Sequence, residues 1–425
     1  MAAKKISHVV KRPGLGIGDP TYEIPVAEDL VTEPGIPQNP FDVDFYSRKY
    51  PLESQHITHT ADRNWVWGVY HPEEVISHRE HDTLVGPMVN AARETGDQEP
   101  TAEPAAGVDV TDLLKTKARE LGFGEVGITR YDRRYAFQYK KKWVQFEHAI
   151  CLAREQDYER TQSIPSSFAE YTHFGVYRTM TQMALMMADY IRSLGYFAQV
   201  HSPNDNSAAY IPMFVAAGLG QLGANGQLLS PHFGSRARLL IITTDALVTY
   251  DEPVDYGIQK FCDTCQVCVN RCPGRALERD KIWWRGVQKH KLVYERCRPV
   301  MARYSGCGIC MKACPIQKYG MKPVMGHYVE SGEVLGKHTH ELEGYTIEGK
   351  GYFGPGELPH FDREFFKLPH GRSEDVLFEE FKEKLRNNDV PEGPAGDQAI
   401  TEFKRKVAKI LAEPESSSMA PPQEA

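Results

Sequence analysis

Apolar positions recur at helical spacing in some stretches of this chain and form short unbroken runs in others, and the alternation predicts a layered α/β core. In TDLLKTKARELG, Leu114, Ala118 and Leu121 share one face, with Asp109 or Thr111 as cap and Gly122 as stop. A longer helix is predicted from about Val176 to Leu194: Met180, Ala184, Met187, Ile191 and Leu194 stand three or four apart, Tyr177 joins their stripe in the first turn, and Gly195 ends it. EVGITRYD, HAICLAREQ and YFAQV read as short strands, Pro203 to Asn206 as a turn, and RARLLIITTDALVTY as a long strand buried on both faces.

The flanks lack such periodicity. Residues 1–108 are rich in proline, glycine and acidic residues and read as an extended arm ending in a flexible linker, with NWVWGVYHP as a docked aromatic patch. The core is expected over 109–255 and a cysteine-rich domain over 256–325. Residues 326–412 begin loop-like, with seven glycines from Gly332 to Gly356, and finish the core with amphipathic helices around EDVLFEEFKEKL and QAITEFKRKVAKIL. Residues 413–425 read as a disordered tail.

The cysteines carry the most specific signal. Cys262, Cys265, Cys268 and Cys272 stand at C-x2-C-x2-C-x3-C-P, the run by which two-cluster ferredoxins hold [4Fe–4S] clusters, and Cys307, Cys310 and Cys314 repeat its end. Cys297, within YERCRPVMARYSGC, supplies an eighth thiolate. In the ferredoxin pattern the last cysteine of each run serves the other cluster. One cluster is therefore expected on Cys262, Cys265, Cys268 and Cys314, the other on Cys272, Cys297, Cys307 and Cys310. Paired structural zinc sites also use C-x2-C, but zinc ribbons draw on separated pairs. Trp283 and Trp284 are expected to pack beside the clusters.

Composition narrows the remainder. The chain has 425 residues, 41% of them hydrophobic, and a net charge of −7, which disfavours a large nucleic-acid interface; the densest basic run, Lys140 to Lys142, reads as a solvated helix face. No apolar run approaches the roughly 20 residues of a membrane helix. The start shows no apolar signal core and no paired arginines, so a cytoplasmic location is expected. Cys151, in the apolar HAICLA, reads as a packing residue in a reducing compartment. Gly218, Gly220 and Gly223 spell G-x-G-x-x-G, but no strand clearly precedes them and no βαβ unit with a later acidic residue follows. These glycines either bring backbone close to a large flat ligand or make turns.

An α/β core feeding two ferredoxin-type cysteine runs resembles the corrinoid iron–sulfur enzymes, namely the reductive dehalogenases and their relative epoxyqueuosine reductase. The resemblance covers roughly residues 110–318. It rests on VYRTM, ADYIRSLGY, PND, IPMFVAAGLGQLGANGQLLSPHFGSRAR and the two cysteine runs. The nine residues between Cys297 and Cys307, and PND itself, favour the dehalogenase branch; the missing twin-arginine leader resembles its cytoplasmic, non-respiratory members. The CPI after the second run departs from many members, which carry an aromatic there.

The resemblance implies a nitroreductase-like core that binds cobalamin base-off, because no D-x-H-x-x-G motif supplies a histidine to cobalt, with Gly218, Gly220 and Gly223 near the cofactor. It implies Tyr177 as proton donor, Arg238 as the cation that stabilises the phenolate, and Asn204 as a hydrogen-bonding partner. Asn206 rivals Asn204, Arg236 rivals Arg238, and Tyr171 and His173 rival Tyr177. The expected activity is replacement of a halogen by hydrogen on a small organohalide, with electrons from an external ferredoxin or flavodoxin. Two alternatives stand beside it: epoxyqueuosine-type deoxygenation of a tRNA base, and a non-catalytic electron-transfer protein.

Overall fold

A computed structural model of the chain describes residues 2–15, 20–39, 72–137, 140–284, 286–366 and 394–412. Most of NWVWGVYHP, all of EDVLFEEFKEKL and the 413–425 tail lie outside them. The chain divides into two compact units, Met1–Lys49 with His81–His360, and Tyr50–Glu80 with Phe361–Ala425. In the second, the described residues include a 3-10 turn at Glu364–Phe366 and the helix Pro394–Ala412, which contains the expected QAITEFKRKVAKIL.

The first unit is built on a four-stranded sheet in the spatial order Glu125–Arg130, His148–Glu155, Ala237–Thr244, Ala198–His201, antiparallel throughout. Each strand falls in a predicted apolar run. Its two faces bury different partners. Ile150, Leu152, Leu240 and Ile242 pack beneath the helices Thr111–Glu120 and Ser167–Ser193, whereas Ala149, Cys151, Ala153 and Ile241 pack against Met213, Phe214 and Phe233. Cys151 is fully buried there. The β-branched and leucine-rich central strand is covered on both sides, as such composition requires.

The long helix starts nine residues earlier than its periodicity predicts. Ser166 caps it, accepting from the Ala169 N–H at 3.2 Å, and Ala169, Thr172 and Phe174 are buried in the added turns. Polar Thr172 and exposed Gly175 hide that stretch from an apolar count. Met180, Ala184, Met187 and Ile191 are fully buried, and Gly195 turns the chain at φ +93°.

The amino-terminal arm is not extended. Ile6–Arg12 and Tyr22–Ala27 pair as an antiparallel hairpin, and Ile24, Val26 and Leu30 join a core with Met321, Val324 and Met325 of the helix Met321–Ser331. Pro72–Glu94 is a helix. The supposed linker is docked as well: Thr101 donates its N–H to the Arg192 carbonyl at 3.0 Å, and a Cβ at Gly195 would collide with Pro104. Proline and glycine there shape a close-fitting path. Among the described residues no helix is long and apolar enough to cross a membrane.

Candidate metal centres and the adjoining polar row

The cysteine-rich region follows the sheet. The helix Ile258–Cys265 carries Cys262 and Cys265, and Gln266 then takes a left-handed φ of 54°, so the short helix Val267–Asn270 brings Cys268 back toward them. The second run turns through Gly306, Cys307 and Gly308 at φ +78°, +52° and +69°. Gly308 leaves room for Ile164, and a side chain at Gly306 would strike the Glu170 carboxylate.

These turns gather the thiols in fours. Cys262, Cys265, Cys268 and Cys314 lie within electrostatic reach of one another and together line one cavity with Phe261, Gln266 and Ile316. Cys272, Cys297, Cys307 and Cys310 form the other set. The last cysteine of each run thus stands with the other run's set. Between the sets, Cys268 is within reach of Cys310.

Burial pushes the Cys262 thiol up to about 12 and Cys297 to about 11. Such thiols ionise at neutral pH only against a bound cation. Main-chain N–H groups are aimed at the sulfurs: Ala276 donates to Cys272 Sγ at 3.3 Å, and those of Ala224 and Ile309 face Cys262 and Cys307. Among the described residues no group of three or more Cys, His, Asp or Glu is arranged to hold a single metal ion. A tetrahedral zinc about 2.3 Å from each sulfur sets the sulfurs only about 3.8 Å apart, whereas a cubane spreads one thiolate to each of four irons. The chemistry and number of the donors fit two cubanes.

Three arginines tie this region to its surroundings. Arg236, 6% exposed, donates to Glu155 at 2.7 Å and to the Gln317 carbonyl beside Cys314. Arg271, just before Cys272, donates to the carbonyls of Glu343, Phe353 and Glu357. It thereby fastens the hairpin Tyr345–Ile347 and Gly351–Phe353, in a stretch expected to be loop-like, against the second set. Arg296 donates to Gly274 and Arg275 carbonyls. Arg271 escaped the sequence reading because the cysteine spacing assigns no role to the position before Cys272. Trp283 and Trp284, expected to pack beside the clusters, are instead 52% and 38% exposed on the strand Leu277–Trp284. The adjacent Leu277 and Leu292 occupy that position instead.

The other predicted residues lie along the long helix and the sheet end it covers. Tyr177 is half-buried, eleventh in the helix, with its ring edge-on to His173 at 5.4 Å; His173 stands 3.8 Å from Glu170, which abuts Gly306. A polar row therefore runs from the second cysteine set to Tyr177. Asn204 sits in the expected turn, where its N–H donates to Ser202 Oγ at 3.2 Å; Ser202 bonds Thr181, which donates to the Tyr177 carbonyl at 2.9 Å. The turn is held by Asp205, whose carboxyl burial would raise but Arg93 and Lys140 keep below the usual range, through ion pairs at 2.7 and 2.6 Å. Lys140 is thus a buried counter-ion and not part of a solvated face. Asn204 and its rival Asn206 are both exposed in this turn. Arg238 projects from the sheet's helix-covered face and donates to Gln156 Oε1 at 2.8 Å. Among the described residues no hydrogen bond joins Tyr177, Asn204 and Arg238 directly.

The glycine motif packs against protein. A Cβ at Gly218 would meet the Glu252 carbonyl at 2.6 Å, one at Gly220 the Leu229 carbonyl, and one at Gly223 the Leu229 side chain at 2.9 Å. Turn formation accounts for all three. A cavity of about 480 Å³ opens on the opposite side of the sheet, lined by Arg130, Tyr131, Arg133, Tyr135 and Met213. None of the predicted site residues lines it.

No family model matches the chain. It is 36% identical over 132 residues to the tetrachloroethene reductive dehalogenase of Desulfitobacterium hafniense, covering 31% of this chain and 24% of that protein. To the tetrachloroethene reductive dehalogenase of Sulfurospirillum multivorans it is 31% identical over 182 residues, 40% of this chain and 36% of the relative. The epoxyqueuosine reductase of Lactococcus garvieae is 30% identical over 175 residues, 38% and 46% of the two chains. The chain thus spans less than half the length of these curated relatives. Among solved structures, a reductive dehalogenase described as suggesting a mechanism for B12-dependent dehalogenation superimposes with a TM-score of 0.57 at 22% identity, over 78% of this chain and 54% of that one. A catabolic reductive dehalogenase gives 0.54 at 21% identity, over 76% and 46%. Both groups of relatives are oxidoreductases. The chain is a sequence relative of the reductive dehalogenases and epoxyqueuosine reductases, and its mixed α/β fold is that of the reductive dehalogenase structures.

Proposed function

We propose that this protein is a cobalamin-dependent reductive dehalogenase with a nitroreductase-like core and a two-cluster ferredoxin-like domain. In the overall reaction two electrons and one proton replace the halogen of a small organohalide by hydrogen and release halide. The observation that carries the reading is the gathering of eight cysteines into two sets, each completed by the last cysteine of the other run. Two adjoining [4Fe–4S] clusters make a one-electron relay, fed here by an external ferredoxin or flavodoxin. Likeness to the dehalogenases, 36% over 132 residues and 31% over 182, favours this reading over the epoxyqueuosine reductases, at 30% over 175.

What supports a corrinoid is the likeness to B12-dependent enzymes. A Cβ at each motif glycine would face protein, so these glycines are given no part in holding it, and the roles of this chain's residues are derived without it.

Tyr177 is the proton donor. Its hydroxyl is carried on a rigid helix, half-buried, with His173 against its ring and Glu170 beyond. Arg238 supplies positive charge on the same face of the sheet, because Arg236 is committed to Glu155 and the Cys314 loop. Its role is to stabilise the phenolate that proton transfer leaves behind. Asn204, fixed by the Asp205 ion pairs, holds substrate by hydrogen bonds. Gly218, Gly220 and Gly223 shape the turn before the central strand.

The test is anaerobic purification with cobalamin, followed by halide release from halogenated phenols, aromatic acids and alkanes with a chemical reductant. Halide release lost in Tyr177→Phe at unchanged iron content supports the reading. Bound clusters with no halide from any substrate contradict it.

A further inference from the structure

Tyr345 opens the hairpin that Arg271 fastens beside the second cysteine set. It is 2% exposed, and among the described residues its buried hydroxyl has no hydrogen-bond partner. The ring lies under the Arg271 guanidinium at 4.7 Å and against Phe353 at 5.8 Å, and Arg271 spends its own donors on three carbonyls. The thiols of Cys307 and Cys272, both of the second set, are near enough to interact electrostatically with the hydroxyl.

A buried hydroxyl left unpaired costs about 1–3 kcal/mol. Phenylalanine would fill the same space without that cost, so the hydroxyl calls for an acceptor that the polypeptide alone does not provide. Thiolates and sulfides of an iron–sulfur cluster are such acceptors, and they would stand where the second set converges.

We propose that the Tyr345 hydroxyl donates a hydrogen bond to a sulfur of the second cluster, on Cys272, Cys297, Cys307 and Cys310, and thereby raises that cluster's reduction potential relative to the first. The proposal rests on the two-cluster reading and deepens it by naming a tuning residue. The direction follows from charge: reduction adds an electron to the cluster, and a donor to sulfur stabilises the more negative state. Burial pushes the hydroxyl's pKa above the ordinary tyrosine value, so it remains a donor through neutral pH. Tyr345 touches no substrate here and acts as a positioning and tuning residue.

The experiment is a redox titration followed by electron paramagnetic resonance on the anaerobically purified full chain, wild type and Tyr345→Phe. Proton double-resonance spectra in normal and heavy water are recorded beside it. The expected result is a negative shift of one cluster's potential, the other unmoved, with iron content unchanged and one exchangeable proton coupling lost. Cys310→Ser, which removes a ligand of the second set, should abolish the signal that shifts. Equal potentials and retained couplings in Tyr345→Phe overturn the proposal while leaving the two-cluster reading intact. A wild type without two clusters overturns both. If Tyr345→Phe loses its clusters, wild type bearing fluorinated tyrosine, a stronger donor of nearly the same shape, must move the potential upward; no movement refutes the hydrogen bond.

Discussion

Replacing Arg271 by methionine removes the clamp between the cysteine-rich core and the 345–353 hairpin. Arg271 is 1% exposed and donates to Glu343 O at 3.0 Å, Glu357 O at 2.6 Å and Phe353 O at 3.3 Å. Hydrogen bonds from a charged donor contribute about 1.5–3 kcal/mol each, and carbonyls left buried without partners add their desolvation. The three share one side chain, so their sum overstates the loss; breaking a comparable buried charged contact costs about 3–5 kcal/mol. At about 1.4 kcal/mol per tenfold, opening of the hairpin becomes at least about a hundredfold more frequent. Amide hydrogen exchange over residues 343–357 reads that opening directly. Arg271→Lys, whose single ammonium cannot match the fork geometry, should fall between wild type and Arg271→Met. Exchange in Arg271→Met within about threefold of wild type would refute the reasoning.

Other expectations follow from the same geometry. Tyr177→Phe should lower halide release by at least about a hundredfold, with iron content and both cluster signals retained. Gly234 has φ +54°, and a Cβ there would stand 2.7 Å from Gln317 Cα; Gly234→Ala should displace the Cys314 loop, cost about 1–2 kcal/mol from the backbone alone, and speed iron loss to a chelator from the first cluster. His201 is buried between Ser207 and Thr243, and burial, with Lys140 nearby, lowers its pKa to about 3. Between its unfolded value of about 6.5 and about 3 the unfolded chain alone takes up this proton, so stability falls with pH by about 1.4 kcal/mol per unit. Glu125, whose burial raises its pKa to about 7, acts in the opposite sense. The wild-type profile must therefore be compared with His201→Asn, in which the histidine's contribution disappears; identical pH dependence of urea unfolding would contradict it.

Sequence legibility tracked how locally each feature is encoded. Iron–sulfur ligation fixes cysteine spacing within ten or so residues, so the two runs can be read directly. The sheet strands were legible because both faces are covered, which demands apolar runs. The stop of the long helix was legible in Gly195, but its start was not, since polar Thr172 and exposed Gly175 break the apolar periodicity and Phe174 meets His81 far upstream. The amino-terminal hairpin and the docked 99–110 segment are held by contacts to residues hundreds or tens of positions away, and proline-rich composition hides them. Arg271 and Tyr345 belong to the same class. Their roles exist only because a buried arginine meets carbonyls more than 70 positions on. Tyr177, Asn204 and Arg238 came from the family resemblance, and the fold places them along one side of the long helix and the sheet end.

The central claim is that eight cysteines hold two cubanes. Iron and acid-labile sulfide, quantified per chain after anaerobic purification, test it most directly. The account predicts about eight of each, falling toward about four when Cys265→Ser or Cys307→Ser disables one set. Stoichiometric zinc in place of iron, or about four irons in the wild type, would contradict it.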